Sequence, residues 1–459
     1  MKNKVVVSLI CVQFALCSLA GLSFGFAGGS GSSSDPYQIS TKADLEAVTN
    51  SPAAHYILVN DIDLSTTTYD EAVISPNEAS YWSSNYEGTP FIGSFDGAGF
   101  QISGLTIDCG EEDEYLGLFG KIDSQALIMD VKLVNVDVSG DDYVGALAGS
   151  SPSEVSNVIG CSATGGSVSA SGNNLGGLIG CNHGFVQNCY STLLVSGSAT
   201  DAGGLIGENY NGTVTGCYTA GTLSCSNTYT GGLVGYAGGS STITQSYSEM
   251  DVTGYAIVGS LVGQNRGIVS DCYAVGNANA AFTGTGCETG ALVGFNYGSI
   301  QNCFSAGETA DCLSSAAIAG CSYEDDISGC FWDTQTSGED KAYTQAFDYT
   351  PVYSTVGVAE GKTTSQMQSK STFTAEGWDF SSEDGDDQIW IMLPGSYPKL
   401  AVFGYDIEGD IDGSGEVNLD DLSMMADEWL LAGDYAADIN EDGMVDLEDY
   451  AALASYWQG

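Results

Sequence analysis

Basic residues are scarce in this chain. Its 459 residues contain ten Lys and Arg against fifty-nine Asp and Glu, which gives a formal net charge of −49 at pH 7. A surface this acidic repels phosphate backbones and anionic headgroups, so the composition excludes non-specific nucleic-acid binding and electrostatic attachment to membranes. Histidine is rarer still, with two residues. The sequence shows no pair of His ligands for zinc and no nucleophile-elbow motif.

Long hydrophobic runs are also scarce, and the one present is at the start. Lys2 and Lys4 precede an apolar run over residues 5–20, and small residues follow as far as Ala27. This order is typical of a secretory signal peptide, and we expect residues 1–27 to be removed. No later run is long enough to span a bilayer. The sequence therefore predicts a protein that is secreted or held at the cell surface, without a membrane span.

Glycine, in contrast, is abundant and periodic. A tetrad of Gly-Leu-aliphatic-Gly, with Ala or Ser in the first position of some copies and Ile replacing Leu in the last, occurs eight times. The copies begin at residues 117, 146, 177, 204, 232, 260, 291 and 317. Successive copies begin 26 to 31 residues apart. A repeat of this length indicates a solenoid, a propeller or a similar array.

Two further columns keep the same register. The first is a β-branched residue followed three positions later by Cys or Ser, with an aromatic residue next in most copies, at Val158, Val186, Val214, Ile243, Val269, Ile300 and Ile327. The second is a turn of Asn and Gly that encloses His183, Tyr210, Arg266 or Tyr297. Asn and Gly favour the left-handed backbone of tight turns. Each repeat is therefore predicted to contain three short strands separated by turns, with no helix.

About 28 residues with three strands suit one coil of a parallel β-helix, whereas a propeller blade needs roughly 40. The tetrads resemble the GLUG motif, a repeat of bacterial secreted and surface proteins. That resemblance implies a β-solenoid but no single activity. We expect a mainly β protein, with a right-handed parallel β-helix over residues 109–332. An N-terminal cap and first coils (28–108) precede it, and a capping region and linker (333–403) follow it.

The cysteines allow two interpretations. Six belong to the repeat column, in two runs of three that are separated by Ser246: Cys161, Cys189 and Cys217, then Cys272, Cys303 and Cys330. Pairing neighbours within a run of three leaves one over, and Ser replaces Cys without breaking the pattern. Buried thiols are therefore favoured over a ladder of disulfides. The pairing of Cys109, Cys181, Cys225, Cys287, Cys312 and Cys321 stays open.

The strongest chemical signal lies in residues 404–459. Two segments, 28 residues apart, place oxygen ligands at loop positions 1, 3, 5, 9 and 12, with Gly at position 6. This is the spacing of an EF-hand calcium loop with Asp at position 12, and position 7 would supply a backbone carbonyl. Two calcium ions are therefore expected, held by Asp410, Asp412, Ser414, Glu416, Asn418 and Asp421, and by Asp438, Asn440, Asp442, Met444, Asp446 and Asp449.

An amphipathic helix is predicted after each loop. The duplicated arrangement resembles a type I dockerin, which implies calcium-dependent attachment to a cohesin-like protein. Dockerins commonly carry small hydroxyl or basic residues at loop positions 10 and 11. Here those positions are Leu419-Asp420 and Leu447-Glu448. The departure leaves the calcium prediction intact and allows a different surface protein as the partner.

Catalytic residues cannot be assigned from the sequence. His183 and Arg266 occupy turn positions that elsewhere hold tyrosine, so we interpret them as exposed turn residues. A glycosidase needs two carboxyl groups roughly 5 to 9.5 Å apart, and no spacing selects such a pair among Asp61, Asp63, Asp96 and Asp108. The aromatic residues after the cysteines either point outward, where stacked rings could bind sugar faces, or belong to the core.

The favoured function is a non-catalytic extracellular module for adhesion or carbohydrate contact, with the C-terminal segment attaching it to another protein. The alternative is a polysaccharide-degrading glycoside hydrolase or lyase, or a component of a glycan-degrading assembly. Some β-helix proteins have such activities, and the resemblance to dockerins supports membership of an assembly.

Overall fold

The computed structural model describes residues 25–78, 85–109, 113–310, 312, 314–323, 326–346, 350–353, 355–380, 388–393, 395–404, 419–428, 437, 439, 445 and 447–455. Most of the expected signal peptide and most of the expected calcium ligands lie outside these residues. The described chain forms a parallel β-solenoid of about nine coils, as the repeat predicts. No helix among these residues combines the length and the apolar character needed to cross a bilayer.

Each coil contributes strands to sheets that run along the solenoid axis. The sheet that precedes the cysteine column is called the cysteine sheet, and its strands pair in parallel. They are Tyr37–Ile39, His55–Leu58, Ser94–Asp96, Leu127–Met129, Asn157–Ile159, Phe185–Gln187, Thr213–Thr215, Thr242–Thr244, Ile268–Ser270, Ser299–Gln301 and Ile327–Ser328.

The strands that follow the cysteine column form the tyrosine sheet. They are Ile62–Asp63, Thr68–Tyr69, Gln101–Ser103, Thr106–Asp108, Lys132–Gly140, Ser162–Ala170, Tyr190–Gly197, Tyr218–Cys225, Tyr247–Gly254, Tyr273–Ala274, Ala278–Ala280, Phe304–Ser305, Cys330–Asp333 and Ala359–Lys362.

The second half of each tetrad begins a strand of the tetrad sheet. Its strands are Phe119–Lys121, Ala148–Ser151, Ile179–Asn182, Ile206–Tyr210, Val234–Gly238, Val262–Asn265, Val293–Asn296, Ala319–Ser322, Lys341–Gln345 and Pro351–Tyr353. The sequence did not reveal a fourth sheet, the short sheet, just before the tetrads. Its strands are Leu175–Gly176, Asp201–Gly203, Tyr229–Gly231, Ile257–Gly259, Glu288–Gly290 and Ser314–Ala316.

The last glycine of the tetrad is required by close packing between two sheets. An added Cβ on Gly180 would lie 2.7 Å from the amide nitrogen of Val144, and one on Gly207 would lie 2.6 Å from that of Leu175. Real Cβ atoms do not approach a backbone this closely. The strand of the preceding coil therefore leaves room only for hydrogen, which explains why this position is Gly in all eight copies.

The cysteine column is a stack of buried, free thiols, as predicted. All six sulfur atoms lie inside the solenoid, and none forms a disulfide. The amide of Cys161 donates to Sγ of Cys189 over 3.3 Å, and the amide of Cys217 donates to Oγ of Ser246 over 3.1 Å. The Ser246 hydroxyl thus replaces a sulfur as the acceptor. Away from the column, Cys287 and Cys312 form a disulfide.

The first coils contain the expected strand, short helix and strand. Helix Lys42–Ala47 starts with a capping box, in which the Thr41 side chain accepts from the Asp44 amide and Asp44 accepts from the Thr41 amide. The 3-10 turn Val48–Asn50 follows. The flanking strands Tyr37–Ile39 and His55–Leu58 pair with each other, and His55–Leu58 also pairs with Ser94–Asp96, so this segment forms the beginning of the cysteine sheet.

The C-terminal region differs from the expectation in where the coil stack ends. The coil stack does not end at residue 332, because Lys341–Gln345 and Ala359–Lys362 extend the tetrad and tyrosine sheets. These strands lack the tetrad that marks earlier coils.

The tryptophans of the capping region cover the side of the solenoid, where they meet the aromatic column described below. The remaining elements are helices Thr364–Met367, Lys370–Thr374, Leu419–Glu428 and Leu447–Ser455, the 3-10 turn Ala401–Phe403, and the antiparallel hairpin Trp390–Met392 and Pro398–Leu400.

Candidate functional site

The aromatic residues after the cysteines form a ladder on the outside of the solenoid. Ring centroids of successive members are 4.7 to 5.1 Å apart, and their planes differ by at most 7°, from Tyr190 through Tyr218, Tyr247 and Tyr273 to Phe304. Asn188, which precedes Cys189, has a φ of +54°. This left-handed residue bends the chain, so the thiol points inward and the ring that follows points outward. The same device recurs at Asp271 and Asn302.

The capping region covers most of this ladder. Trp390 lies 6.3 Å from Tyr273 and 6.1 Å from Phe304, and Phe403 packs edge-on against Tyr247 at 4.9 Å. Tyr273, Phe304 and Phe331 are at most 1% exposed. The idea that sugars stack on these rings is therefore wrong for the covered part of the column. Its rings anchor the capping region instead.

The turn column is held from inside by asparagines. Nδ2 of Asn182 donates to Oδ1 of Asn209 over 2.8 Å, and Asn265 makes the same contact with Asn296. Each Asn also bonds to the backbone of its own turn, as when the Gly184 amide donates to Asn182. All four side chains are buried. Packing therefore fixes Asn and Gly in this column and leaves the residue between them free to vary, as predicted.

The variable turn residues and their neighbours form an exposed strip that we call the turn ribbon. It consists of His183, Tyr210, Tyr236, Arg266, Tyr297 and Tyr323. His183 lies 5.6 Å from Tyr210, and Tyr297 lies 5.2 Å from Tyr323. The guanidinium of Arg266 is 4.7 Å from the Tyr297 ring and 6.0 Å from the Tyr236 ring.

The ribbon is continuous and accessible. Gly238 separates Tyr210 from Tyr236, and an added Cβ there would lie 2.8 Å and 2.5 Å from the two rings. Tyr210, Tyr297 and Tyr323 are 41%, 36% and 44% exposed. Coils stack about 4.8 Å apart, so six coils carry the ribbon over roughly 24 Å. An exposed row of rings this long is a surface for ligands with flat apolar faces.

The sequence-derived candidates for catalysis are not brought together. Arg266 contacts tyrosine rings, and in the described residues neither it nor His183 has a side-chain hydrogen bond or ion pair that would orient it for chemistry. Asp61 accepts from the Gln101 amide, and Asp63 from the Ser65 amide. Asp96 likewise accepts from a nearby amide, and Asp108 from a serine hydroxyl. These carboxylates stabilise turns and strand ends.

Two of the expected calcium ligands are described. Asp421 and Asp449, at position 12 of the two loops, are fully buried in the first turns of helices Leu419–Glu428 and Leu447–Ser455. The other ten expected ligands lie outside the described residues, among which no group of three metal-ligating side chains occurs. Residues 404–459 contain no basic residue. Carboxylate oxygens in the first turn after such a loop are among the ligands that calcium prefers.

The C-terminal helices pack on the capping hairpin. Met425, Val445 and Leu453 form a cluster with Ile391. On either side of Ile391, Trp390 and Met392 belong to the cluster that covers the aromatic ladder. The strand Trp390–Met392 therefore uses its two faces to connect the C-terminal segment with the ladder.

Comparisons with known proteins agree with the repeat. A family model described as the GLUG motif matches residues 226–253. Halomucin of Haloquadratum walsbyi is 40% identical over 140 residues, which cover 29% of this chain and 2% of halomucin. A candidate Gly-rich membrane protein of Evansella cellulosilytica is 31% identical over 161 residues, or 33% of this chain and 18% of that protein. The chain thus spans a small part of either relative.

Among solved structures, a candidate immunoglobulin A1 protease from Bacteroides ovatus aligns with 82% of this chain and 95% of its own, at 17% identity and a TM-score of 0.45. The tetrads, the coil stack and the family model together show that the chain carries GLUG repeats on a parallel β-helix.

Proposed function

We propose that this GLUG β-helix protein is an extracellular module that binds neutral glycans through the turn ribbon without cleaving them. Its C-terminal segment binds two calcium ions and attaches the module to a surface protein. The turn ribbon is the observation that carries the proposal. Rings spaced along a straight axis match a polymer of sugar rings, whose C–H faces stack on tyrosine.

Charge narrows the ligand class. With a net charge of −49, the surface disfavours uronic-acid and sulfated polymers, because like charges at close range cost free energy. The ribbon itself contains no carboxylate, and Arg266 is its permanent cation. Neutral polysaccharides are compatible with both features.

The calcium part rests on chemistry and on burial. Oxygen ligands at the spacing of an EF-hand loop occur twice, and both position-12 carboxylates are buried in the first turn of a helix. Asp410, Asp412, Ser414, Asn418 and Asp421, with the backbone carbonyl of Glu416, would hold the first ion, and the corresponding residues of the second loop would hold the other. The ions would neutralise acids that otherwise repel one another, and so would stabilise the fold of this segment.

The names of the relatives support an extracellular role. One is a mucin by name, and the other is described by its position at a membrane. Both names are compatible with the expected signal peptide and with a module for adhesion or carbohydrate contact.

Affinity electrophoresis in gels containing a neutral polysaccharide tests the proposal. The panel is hydroxyethyl cellulose, galactomannan, arabinoxylan and laminarin, with polygalacturonate as the anionic member. We expect retardation by at least one neutral polymer and none by polygalacturonate. Replacing Tyr297 and Tyr323 by Ala should remove most of the retardation by the neutral polymer, since each stacked ring contributes to the affinity. Tyr255→Ala removes a tyrosine that is 46% exposed outside the ribbon and serves as the matched control.

Three results would contradict the proposal. The first is no retardation by any neutral polymer, and the second is equal loss in the control. The third is the release of reducing ends from a retarding polymer, which would show that the protein cleaves glycans and support the enzyme alternative.

A further inference from the structure

The short sheet and the tetrad sheet meet at a corner where outward-pointing side chains contact one another. The floor is backbone, because an added Cβ on Gly235 would lie 2.6 Å from the Ala202 amide nitrogen. Tyr229 and Tyr236 meet across it with ring centroids 5.8 Å apart. None of these rings belongs to the solenoid core. These side chains therefore lie on the outside of the molecule, in a row parallel to the solenoid axis.

Four residues at this corner form a compact set that we call the quartet. Asp201 pairs in register with Tyr229 in the short sheet, and Glu208 pairs with Tyr236 in the tetrad sheet. Asp201 and Glu208 interact electrostatically across the corner. All four side chains are half-buried, so they are shielded but still reachable from solvent. Two carboxyl groups thus lie beside two rings.

The carboxyl of Glu208 is held in place by its neighbours. Nδ2 of Asn174 donates to Oε2 of Glu208 over 2.8 Å, and the thiol of Cys181 approaches the same oxygen at 3.7 Å. Asn174 is itself 4% exposed and has a φ of +47°. The orientation of Glu208 is therefore set before any ligand arrives, which lowers the entropy cost of binding.

Two acceptor atoms at the same corner lack donors in the described structure. They are Oδ1 of Asp201 and Oε1 of Gln264, both enclosed. Gln264 is 2% exposed and pairs in register with Tyr236, so it occupies the equivalent position in the next coil. Buried polar atoms are normally satisfied. Burial and the charge of Glu208 also raise the pKa of Asp201 to about 7, which agrees with a carboxyl group withdrawn from water.

We propose that the quartet, together with Gln264, is a subsite for one neutral hexose of the glycan chain. Hydroxyl groups of the sugar donate to Glu208 and to the unpartnered oxygens of Asp201 and Gln264, while its C–H face rests on Tyr236. This inference deepens the proposed function and depends on it, because Tyr236 belongs to both the quartet and the turn ribbon. The ribbon supplies affinity, and the quartet selects the arrangement of hydroxyl groups.

Charge at the corner agrees with a neutral ligand. An anionic sugar would face Asp201 and Glu208. The guanidinium of Arg266 lies 6.0 Å from the Tyr236 ring and adds a positive charge near the two carboxyl groups. A hydroxyl group carries no net charge and can donate to carboxyl oxygens.

The test compares three kinds of variant on the same panel of neutral polysaccharides, by affinity electrophoresis and then by calorimetry on the tightest binder. Glu208→Gln keeps the size of the side chain but replaces one acceptor oxygen by a donor. We expect it to weaken binding to the preferred polymer at least tenfold and to reduce the preference over the weaker binders. Gln264→Leu removes the unpartnered acceptor and should act in the same direction. The Tyr297→Ala, Tyr323→Ala variant should weaken binding to all polymers and keep their order.

Glu308→Gln, at an exposed glutamate outside the quartet, is the control and should bind as the unaltered protein does. Circular dichroism confirms that each variant is folded. If the unaltered protein binds and both Glu208→Gln and Gln264→Leu keep its affinity and its order of preference, the subsite is refuted while the ribbon stands. If the unaltered protein binds no polymer, both the subsite and the ribbon proposals are refuted.

Discussion

Glu288 allows the electrostatics of the corner to be measured as a change in stability. It lies in the short-sheet strand Glu288–Gly290, is 6% exposed, and has a pKa raised from 4.5 to about 7 because burial disfavours its charged form. The folded state therefore holds a proton that the unfolded chain releases above pH 4.5. Stability linked to this proton is present below pH 4.5 and is lost as the pH rises towards 7.

The Glu288→Gln variant removes the ionisation but keeps the shape of the side chain. A shift of about 2.5 pKa units corresponds to about 3 kcal/mol, at 1.36 kcal/mol per unit. We therefore expect the variant to be more stable than the unaltered protein by about 3 kcal/mol at pH 8. The two should be nearly equal at pH 4.5, where Glu288 is protonated in the folded state and half protonated in the unfolded one.

Guanidinium unfolding of the full chain at pH 4.5, 6 and 8, in constant excess calcium, measures this difference. The test depends on how the difference in free energy of unfolding between the two proteins changes with pH. A difference that is constant with pH would reflect altered packing or hydrogen bonding. Glu308→Gln serves as the control for the loss of one acid from a very acidic protein. A difference between Glu288→Gln and the unaltered protein that is the same at all three pH values would refute the reasoning.

Two further predictions concern the repeat and the C-terminal segment. Gly207→Ala should lower the free energy of unfolding by about 3 kcal/mol or more, because the new Cβ meets backbone atoms that cannot move aside. Gly286→Ala, where φ is +90° and the space is open, should lower the free energy of unfolding by only about 1 kcal/mol in the same denaturation. Equal losses in the two variants would contradict the packing argument. Calcium added to the chelated full chain should increase helical circular dichroism, and replacing Asp421 and Asp449 together by Asn should abolish that increase. Equal helicity in chelator and in calcium would show that calcium does not fold this segment.

The coil architecture was predictable because the same sequence pattern recurs in each coil. The tetrad occurs eight times, and the cysteines and turn asparagines recur in the same register, so one inference about the coil is tested repeatedly along the chain. Even the bend that reverses the ring direction was readable in part. A straight strand would point Val186 and Tyr190 the same way, so outward-pointing rings require a bend between these residues, and Asn188 with its left-handed φ supplies that bend.

The short sheet and the quartet could not be found in the same way. Strands of two or three residues, such as Leu175–Gly176, carry too little alternation to be recognised. Asp201 and Glu208 lie on two strands joined by a sharp bend, so a separation of seven residues in the sequence does not indicate that they are neighbours. Their proximity depends on the angle between two sheets, which the tetrad glycines fix only once the coils are stacked.

The solvent exposure of the aromatic columns depends on contacts with segments outside the repeats, which the repeat pattern does not predict. Tyr273 and Tyr297 both face away from the solenoid core, and both lie in rows with rings from neighbouring coils. Tyr273 is 1% exposed because the capping region lies over it, whereas Tyr297 is 36% exposed because no described segment does. A row of outward rings is a surface only where the rest of the chain leaves it open. The proposed glycan contact is therefore assigned to the turn ribbon, and the ladder is the surface that the capping region covers.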